Sequence, residues 1–279
     1  MNVESVFNQV EQAAADHIKA EQGDYIVDGL LYCGKCKTQK QVRVTFFGQE
    51  RTPFCLCKCA AEQREREEKE QRRRERELII QEKRKAGFPD KELINCTFTN
   101  DDHANEKISN VAQRYADNFT TMLKDGKGLL LFGGVGTGKT YIAACIANAL
   151  IDRGYDCLVT NFARLINTIS GMYAGKQEYI DSLNAFDLLI IDDLAAERDT
   201  EYMNEIVYNI IDSRYRAGLP LIITTNLTAD ELKNPADVKK QRIYSRLLEI
   251  CIPIEVTGED RRRARLKRDY GEYKNLLGL

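Results

Sequence analysis

Short apolar runs alternate with helical patterns along the C-terminal part of the chain. The apolar runs lie at 128–132, 157–160, 187–191, 221–225 and 252–256, and segments with helical periodicity lie between them at 141–152, 162–173, 201–215 and 239–249. Strands that are buried on both faces and alternate with helices form a mostly parallel sheet covered on both sides. The pattern from about residue 90 onward therefore predicts one α/β domain.

The segment before this domain is polar and densely charged. Between Glu62 and Lys85 there are 8 acidic and 10 basic residues, with opposite charges often three or four positions apart, as in Glu65/Lys69 and Glu70/Arg74. Good helix formers with this charge spacing predict a solvated helix, which Gly87 and Pro89 then end. The composition changes predict three parts: a small N-terminal domain (1–60), a charged helical linker (61–89) and the α/β domain (90–279).

Composition narrows the class of protein. With 279 residues and 43% hydrophobic content, the chain can bury a real core, and its formal net charge of −2 confines any basic surface to a local patch. The first twenty residues lack the apolar region of a signal peptide, and the apolar runs are shorter than the ~20 residues that cross a bilayer. We expect a cytoplasmic protein with no membrane contact. Nine cysteines then favour metal ligation or buried thiols over disulfides.

The most specific motif is a glycine-rich loop between the run 128–132 and the helical segment that follows it. Residues 133–140 read GGVGTGKT, which fits the pattern G-x-x-x-x-G-K-[ST]. Such a loop turns backbone N–H groups toward phosphates at a helix N-terminus. An ordinary glycine-rich turn would explain neither the Lys-Thr pair nor the flanking elements. The predicted nucleotide-binding residues are Gly133, Gly134, Val135, Gly136, Thr137, Gly138, Lys139, Thr140 and Tyr141.

Each residue type in and around this loop has a chemical role in transferring a phosphoryl group. Lys139 would reach the β- and γ-phosphates, and the Thr140 hydroxyl would coordinate Mg²⁺. Two acids follow the run 187–191: Asp192 would hold Mg²⁺, and Asp193 would orient or deprotonate the attacking water. Taken alone, an Asp-Asp pair after a strand is more often a turn or a helix cap. Together with the loop it predicts hydrolysis of ATP or GTP.

A polar residue also ends the apolar run 221–225. Asn226 carries an amide that can bond both a γ-phosphate oxygen and the water, although a strand-ending Asn is also common in ordinary turns. Two arginine groups follow in the sequence, one at Arg246 and one at 261–263. An efficient ATPase needs at least one arginine to offset the charge of its transition state, and a neighbouring subunit can supply it.

These motifs, in this order, resemble a known family. Residues 90–265 are similar to the AAA+ ATPase domain of the DnaC/DnaI-type replicative helicase loaders. The matching segments are 190–215 (Walker B and the next helix), 223–227 (sensor 1), 241–247 (arginine-finger helix) and 258–262 (sensor 2). The resemblance implies that Arg246 acts in trans on the ATP of a neighbour and that Arg262 contacts the γ-phosphate in cis. AAA+ proteins usually carry Glu at the position of Asp193, which suggests slow, switch-like hydrolysis here.

Five of the cysteines cluster near the N-terminus. Cys33 and Cys36 have the C-x-x-C spacing of a zinc knuckle, and Cys55, Cys57 and Cys59 offer three further thiols. Tetrahedral zinc takes four ligands, so one thiol is surplus. A redox role would need a helix N-terminus and a βαβ context, which this segment lacks.

The family resemblance indicates which four of these five thiols bind the metal. The segment TPFCLCKCAAE is similar to the end of the zinc-binding N-terminal domain of related loaders, which implies that Cys57 and Cys59 bind the metal with Cys33 and Cys36 and that Cys55 is spare. The remaining four cysteines lie in or beside apolar segments and are expected to be buried thiols. They are Cys96, Cys145, Cys157 and Cys251.

The family implies a function for the whole chain. We expect an ATP-dependent loader that binds the hexameric DnaB-family replicative helicase and delivers it onto single-stranded DNA at replication initiation. ATP, Mg²⁺ and Zn²⁺ are the expected cofactors, and the AAA+ domains are expected to self-associate. Two alternatives stay open. One is an IstB-like transposition helper ATPase, whose members generally lack the zinc cluster; the other is a zinc-bearing adaptor with a structural nucleotide site.

Two sequence features have both a functional and an ordinary interpretation. Six basic residues in the eight from 261 to 268 could contact DNA, or they could form a solvated charge run. A weak helical stripe of Val6, Val10, Ala14 and Ile18 could bind a partner, or it could be an amphipathic helix with a frayed end.

Overall fold

The computed structural model describes residues 20–46, 48–195, 200–235 and 237–261, together with the single positions 263, 270, 274, 276 and 277. The N-terminal stripe from Val6 to Ile18 and the predicted sensor 2 residue Arg262 lie outside the described residues. The chain divides into two compact units, residues 1–78 and 79–279. Of the described helices, none combines the length and the hydrophobicity needed to cross a membrane.

The first unit contains two short antiparallel hairpins. Strand β1 (Tyr25–Val27) pairs with β2 (Leu30–Tyr32), and β3 (Val44–Phe46) pairs with β4 (Gln49–Arg51). The first hairpin turns at Asp28 and Gly29, whose φ values of 51° and 77° fit the Asp-Gly type I′ turn. In the described part of this unit, the buried apolar side chains are Leu30, Cys33 and Cys57. The described part of this unit thus has a core too small to stabilise it alone.

Helix α1 (Lys58–Gly87) follows the second hairpin. Its side chains are mostly exposed, and the ion pairs expected from the sequence form between Lys69 and Glu65 (2.6 Å) and between Arg74 and Glu70 (3.2 Å). The prediction of a charged, solvated helix is therefore confirmed. The helix ends at Gly87, where a Cβ atom would lie 2.2 Å from the carbonyl oxygen of Cys157, so only glycine fits there.

The second unit is an α/β domain with a five-stranded parallel sheet in the order β6-β7-β8-β5-β9. In chain order its elements are α2 (Glu106–Asp117), α3 (Phe119–Lys124), β5 (Gly128–Phe132), α4 (Lys139–Asp152), β6 (Cys157–Asn161), α5 (Phe162–Ser170), α6 (Lys176–Ser182), β7 (Leu188–Leu194), α7 (Glu201–Ala217), β8 (Leu221–Thr225), α8 (Ala229–Lys233), α9 (Val238–Ile250) and β9 (Cys251–Glu255). Single 3₁₀ turns cover Lys91–Asn95, Phe98–Asn100 and Leu183–Ala185. The predicted fold class is confirmed.

Helices cover both faces of the sheet. Successive side chains of a strand point to opposite faces, so each strand can contribute apolar side chains to both helical layers. Ile191 and Ile223 belong to the apolar cluster that includes side chains of α5, α7 and α9. Ile190 and Ile222, one position earlier in each strand, belong to the cluster that includes side chains of α2 and α4. The continuous apolar runs in the sequence follow from this burial on both faces.

The strand order decides which loops meet. Strand β8 lies between β5 and β7, and all three run parallel. The residues at and just after their carboxyl ends therefore lie side by side at one edge of the sheet, where parallel α/β sheets bind ligands. The glycine-rich loop, the two acids and Asn226 are those residues.

A buried arginine holds the opposite ends of these strands. Arg214 is 1% exposed. Its guanidinium donates to the carbonyl oxygens of Pro220 (2.9 Å), Asp187 (3.0 Å) and Leu183 (3.4 Å). Burial lowers the pKa of Arg214 to about 10, so the side chain stays charged at neutral pH. The backbone that enters β7 and β8 is thus tied to α7 by one cation.

Replacing this cation should destabilise the second unit. Arg214→Met keeps most of the apolar stem but leaves buried carbonyl oxygens without donors, at about 1–3 kcal/mol each. We expect the free energy of unfolding to fall by about 3 kcal/mol or more in urea titrations. The exposed Arg114 on α2 provides the matched control, since Arg114→Met should change stability by less than about 0.5 kcal/mol. Equal losses in the two variants would contradict this account of Arg214.

Candidate functional site

The glycine-rich loop joins β5 to α4 through a backbone that only glycine can follow at two points. Gly138 caps α4 with a φ of 95°. Gly133 has a φ of 132°, and a Cβ atom there would lie 2.6 Å from the carbonyl oxygen of Val256. Glycine adopts these left-handed conformations without a steric penalty. The loop thus ends at the N-terminus of a helix, an arrangement that favours anions.

Lys139 lies at the centre of the site. Its residue is 5% exposed, and its Nζ donates to the carbonyl oxygens of Gly133 (2.9 Å) and Gly134 (2.8 Å) and to Oδ1 of Asn226 (2.7 Å). Lys139 and Asn226 are 87 positions apart in the sequence. They meet because β5 and β8 are neighbours, so the structure brings together two residues that separate motifs had predicted.

A hydroxyl and a carboxylate meet next to this lysine. Thr140 Oγ1 donates to both oxygens of Asp192, at 2.8 and 3.0 Å, and the Thr224 hydroxyl donates to the same carboxylate. Burial raises the pKa of Asp192, and these hydrogen bonds oppose that rise. Hydroxyl and carboxylate oxygens are the donors that Mg²⁺ prefers. Thr140 and Asp192 therefore fit the ligand set predicted for magnesium.

Asp193 occupies an irregular point of β7. The pairing register of β7 and β8 shifts between Ile191 and Leu194, and Asp193 has a φ of 56°. Its backbone N–H donates to Thr224 Oγ1 at 3.0 Å. A bulge of this kind redirects a side chain. Asp193 is consequently exposed and lines the cavity over the loop, while its neighbour Asp192 is partly buried.

One cavity is lined by most of the residues that the sequence predicts to bind nucleotide. It lies over the loop and the first turn of α4 and reaches Asp193 and Asn226. Its lining residues are Val135, Gly136, Gly138, Lys139, Thr140, Tyr141, Asp193, Asn226 and Arg261. Of these, Arg261 is a residue that the sequence motifs did not single out.

Arg261 is fixed over the loop by two contacts. Its backbone N–H donates to the carbonyl oxygen of Gly136 at 3.0 Å, and its Nη1 lies 3.1 Å from Oδ1 of Asp102. A Cβ atom built on Gly138 would lie 3.4 Å from the guanidinium carbon. The predicted sensor 2 arginine, Arg262, is the next residue and lies outside the described part of the chain. Three consecutive arginines carry no sequence signal that selects the one facing the loop.

Arg246 lies elsewhere on the domain. It is on α9, forms an ion pair with Asp212 of α7, and places its guanidinium over the ring of Tyr208 with 4.6 Å to the centroid. Among the described residues that line the cavity over the loop, Arg246 is absent. In one copy of this chain, Arg246 is therefore engaged with α7 rather than with the chain's own loop.

The first unit contains a compact cysteine cluster. The Sγ atoms of Cys33, Cys36, Cys57 and Cys59 all lie within 4.8 Å of one another. Two of the separations are 3.6 Å (Cys33 to Cys59) and 3.4 Å (Cys57 to Cys59). A zinc tetrahedron with Zn–S bonds of about 2.3 Å has edges of about 3.8 Å. The four thiols are therefore close enough together to serve as a zinc ligand set.

The other cysteines lie apart from this cluster. Cys55 Sγ lies 3.5 Å from the carbonyl oxygen of Gln39, and burial raises the pKa of its thiol. In the second unit, Cys145, Cys157 and Cys251 are buried, and Cys96 is partly buried. Burial raises the pKa of these four thiols as well, which makes them poor nucleophiles.

The parallel sheet, the loop over α4, and the acids and amide at neighbouring strand ends define an AAA+ P-loop nucleotide-binding domain. Residues 61–269 match the family model described as IstB-like ATP binding protein. The chain belongs to this family of ATP-binding proteins.

Curated relatives include replicative helicase loaders. The replicative helicase loader DnaI of Bacillus subtilis (strain 168) is 26% identical over 196 residues, which is 65% of this chain and 63% of DnaI. The replicative helicase loader DnaC of Escherichia coli (strain K12) is 27% identical over 147 residues, which is 50% of this chain and 58% of DnaC. The chain thus spans about three fifths of the length of these relatives.

A solved structure supports the same relationship. The crystal structure of the DnaI is 29% identical to this chain, with a TM-score of 0.52, and the match covers 62% of this chain and 94% of that structure. The resemblance to DnaC/DnaI-type loaders that the sequence predicted is confirmed at the level of fold and family.

Proposed function

We propose that this protein is an ATP-dependent loader that binds a DnaB-family replicative helicase and delivers it onto single-stranded DNA. In the proposed organisation, residues 1–60 form the zinc-binding part that contacts the helicase. Residues 61–89 form a helical linker, and residues 90–279 form the ATPase domain. The observation that carries the proposal is the convergence of Lys139, Asn226, Thr140 and Asp192 at one sheet edge, in a chain similar to proteins named replicative helicase loaders.

The proposed roles of the residues follow from their chemistry. Lys139 would leave its contacts with the loop carbonyls to neutralise the β- and γ-phosphates, and Asn226 would orient the γ-phosphate and the attacking water. Mg²⁺ held by Thr140 and Asp192 would neutralise charge on the phosphate oxygens. Asp193 would position or deprotonate the water. The side chain of Asp193 is one methylene shorter than that of the Glu usual in AAA+ proteins. This difference supports slow hydrolysis, which suits a switch.

Assembly would complete the site. As the family resemblance implies, Arg246 would act on the ATP of a neighbouring copy; in its own chain it lies against Asp212 and Tyr208. The adjacent arginines 261 and 262 would serve the chain's own nucleotide, with Arg262 as the sensor 2 residue implied by the family. We propose that ATP binding drives this self-association and that the assembly opens the helicase ring or delivers it.

The position of Arg261 yields a prediction of its own. A phosphate group is a stronger partner for a guanidinium than the exposed carboxylate of Asp102, so Arg261 is expected to exchange Asp102 for the nucleotide. Charge-assisted hydrogen bonds contribute about 1.5–3 kcal/mol, so Arg261→Met should weaken ATP·Mg²⁺ binding about tenfold or more in a fluorescence titration. The matched control is Arg263→Met, because Arg263 is exposed and lies two positions after Arg261. This variant should bind ATP·Mg²⁺ with unchanged affinity. Equal affinities for all three proteins would contradict this role of Arg261.

Size-exclusion chromatography with light scattering tests helicase binding directly. The full chain is mixed with the host's replicative helicase, with and without ATP·Mg²⁺, and compared with the Cys57→Ser/Cys59→Ser variant. The proposal predicts a complex with the wild-type chain and none with the variant. Failure to form a complex under every nucleotide condition, in a chain that still hydrolyses ATP, would reject helicase loading.

The family description favours one second candidate, a transposition helper ATPase of the IstB type. Such a protein would act with a transposase on duplex DNA. The two candidates differ in the DNA they need: duplex binding without helicase binding would favour the helper. The four-thiol cluster favours the loader, because IstB-like helpers generally lack one.

A further inference from the structure

Two polar side chains next to the cysteine cluster connect parts of the first unit that are distant in the sequence. Thr38 Oγ1 lies 3.1 Å from Cys36 Sγ and accepts a hydrogen bond from the backbone N–H of Lys58 at 2.9 Å. A single hydroxyl can donate to the Cys36 sulfur while it accepts from Lys58. Since Lys58 stands between Cys57 and Cys59, this hydroxyl joins the C-x-x-C turn to the second cysteine pair.

Asp24 holds the same turn from its other side. Asp24 Oδ1 accepts from the backbone N–H of Gly34 at 3.0 Å, and Oδ2 accepts from Lys40 Nζ at 2.6 Å. The Asp24 and Lys40 side chains are 4% and 5% exposed, so this ion pair is buried in a unit with few buried apolar side chains. Buried charges are retained only where they are paired and hydrogen-bonded.

The backbone around this pair is tightly packed. A Cβ atom on Gly34 would lie 2.1 Å from the carbonyl oxygen of Gly23, so the turn packs directly against the segment that carries Asp24. The backbone of Lys40 donates to the carbonyl oxygen of Leu31 (2.7 Å) and accepts from the N–H of Cys55 (2.8 Å). Asp24 is therefore anchored to the C-x-x-C turn directly and to the approach to the second cysteine pair through Lys40.

We propose that Thr38 and Asp24 are positioning residues of the zinc centre, which hold the two cysteine pairs in ligating geometry and thereby increase zinc affinity. Neither side chain supplies a ligand. With zinc bound, the Thr38 hydroxyl would also donate a hydrogen bond to the Cys36 sulfur, where four thiolates would outweigh the charge of Zn²⁺. Outer partners that orient ligands in this way typically change metal affinity by about 10–100-fold when they are removed. This inference rests on the proposed zinc site.

Zinc competition against a chromophoric chelator tests the proposal in the full chain. Thr38→Val removes the hydroxyl at nearly constant shape, and Asp24→Asn removes the charge. We expect each to lower zinc affinity about tenfold or more. Thr38→Ser, which keeps the hydroxyl, should stay within about twofold of the wild type. Thr45→Val, the same substitution at the exposed Thr45 of β3, and Cys55→Ser should leave the affinity unchanged.

A second readout separates positioning from simple unfolding. Cobalt substituted at saturating concentration reports ligand number and geometry through its absorption spectrum. The proposal predicts that Thr38→Val and Asp24→Asn retain the tetrahedral thiolate spectrum at saturation while they need more metal to reach it. Wild-type affinity in both variants would overturn the inference but leave the zinc site intact. A wild-type chain that binds no zinc would overturn the zinc site and the inference together.

Discussion

The Lys139→Ala variant is expected to lose ATP hydrolysis, with turnover at least about 100-fold below that of the wild type. Lys139 is the buried cation at the loop, and its ammonium already lies within hydrogen-bond distance of three oxygens where phosphates would bind. Alanine removes the charge that would offset the γ-phosphate, and it also releases Asn226 from its partner. We therefore expect weaker compensation of the γ-phosphate charge and poorer alignment of the attacking water.

Steady-state phosphate release measures this loss, with nucleotide affinity measured in parallel. Lys107→Ala, at an exposed lysine on α2, is the matched control and should retain wild-type turnover. A Lys139→Ala protein with turnover close to that of the wild type would contradict the proposed ATPase site. A wild-type chain that binds ATP but does not turn it over would support the adaptor alternative, in which nucleotide is structural.

The Cys57→Ser/Cys59→Ser variant is expected to unfold the first unit while the second unit stays folded. This unit buries few apolar side chains in its described part, so its stability should come largely from the metal. Structural zinc contributes about 10–16 kcal/mol in small zinc-finger peptides. Two lost ligands should therefore abolish stoichiometric zinc binding and the protection of the two hairpins.

Hydrogen exchange measured by mass spectrometry separates the two units. We expect the region 20–57 to exchange rapidly in the double variant, while β5 and β7 keep wild-type protection and ATP affinity is unchanged. Cys55→Ser is the control, since Cys55 lies outside the cluster, and it should retain both zinc and protection. Wild-type protection of the hairpins in a zinc-free double variant would contradict a metal-dependent fold.

The sequence was most informative where a motif is local. The loop before Lys139 and the acids after the run 187–191 can each be recognised from a pattern of a few consecutive residues. Their meeting could also be predicted, since carboxyl ends of neighbouring parallel strands share one edge of a sheet. The observed bonds from Lys139 to Asn226 and from Thr140 to Asp192 agree with that reasoning.

Other features depend on contacts that no short pattern contains. The hairpin strands of the first unit have three residues each, too few to establish a periodicity of two. The left-handed backbone of Asp193 results from a register shift against β8. Arg261 and Arg214 are selected from many arginines only by what packs around them. Thr38 and Asp24 likewise gain their importance from partners about 10 to 20 positions away.

The most direct test of the central claim is a loading assay on closed circular single-stranded DNA, which a ring helicase cannot thread onto from an end. The host's DnaB-family helicase is incubated with this DNA and ATP·Mg²⁺, with or without the protein, and the helicase retained after a high-salt wash is measured. We predict that the wild-type chain strongly increases retention and that Lys139→Ala and Cys57→Ser/Cys59→Ser do not. Helicase retention that is the same with and without the wild-type protein would contradict it.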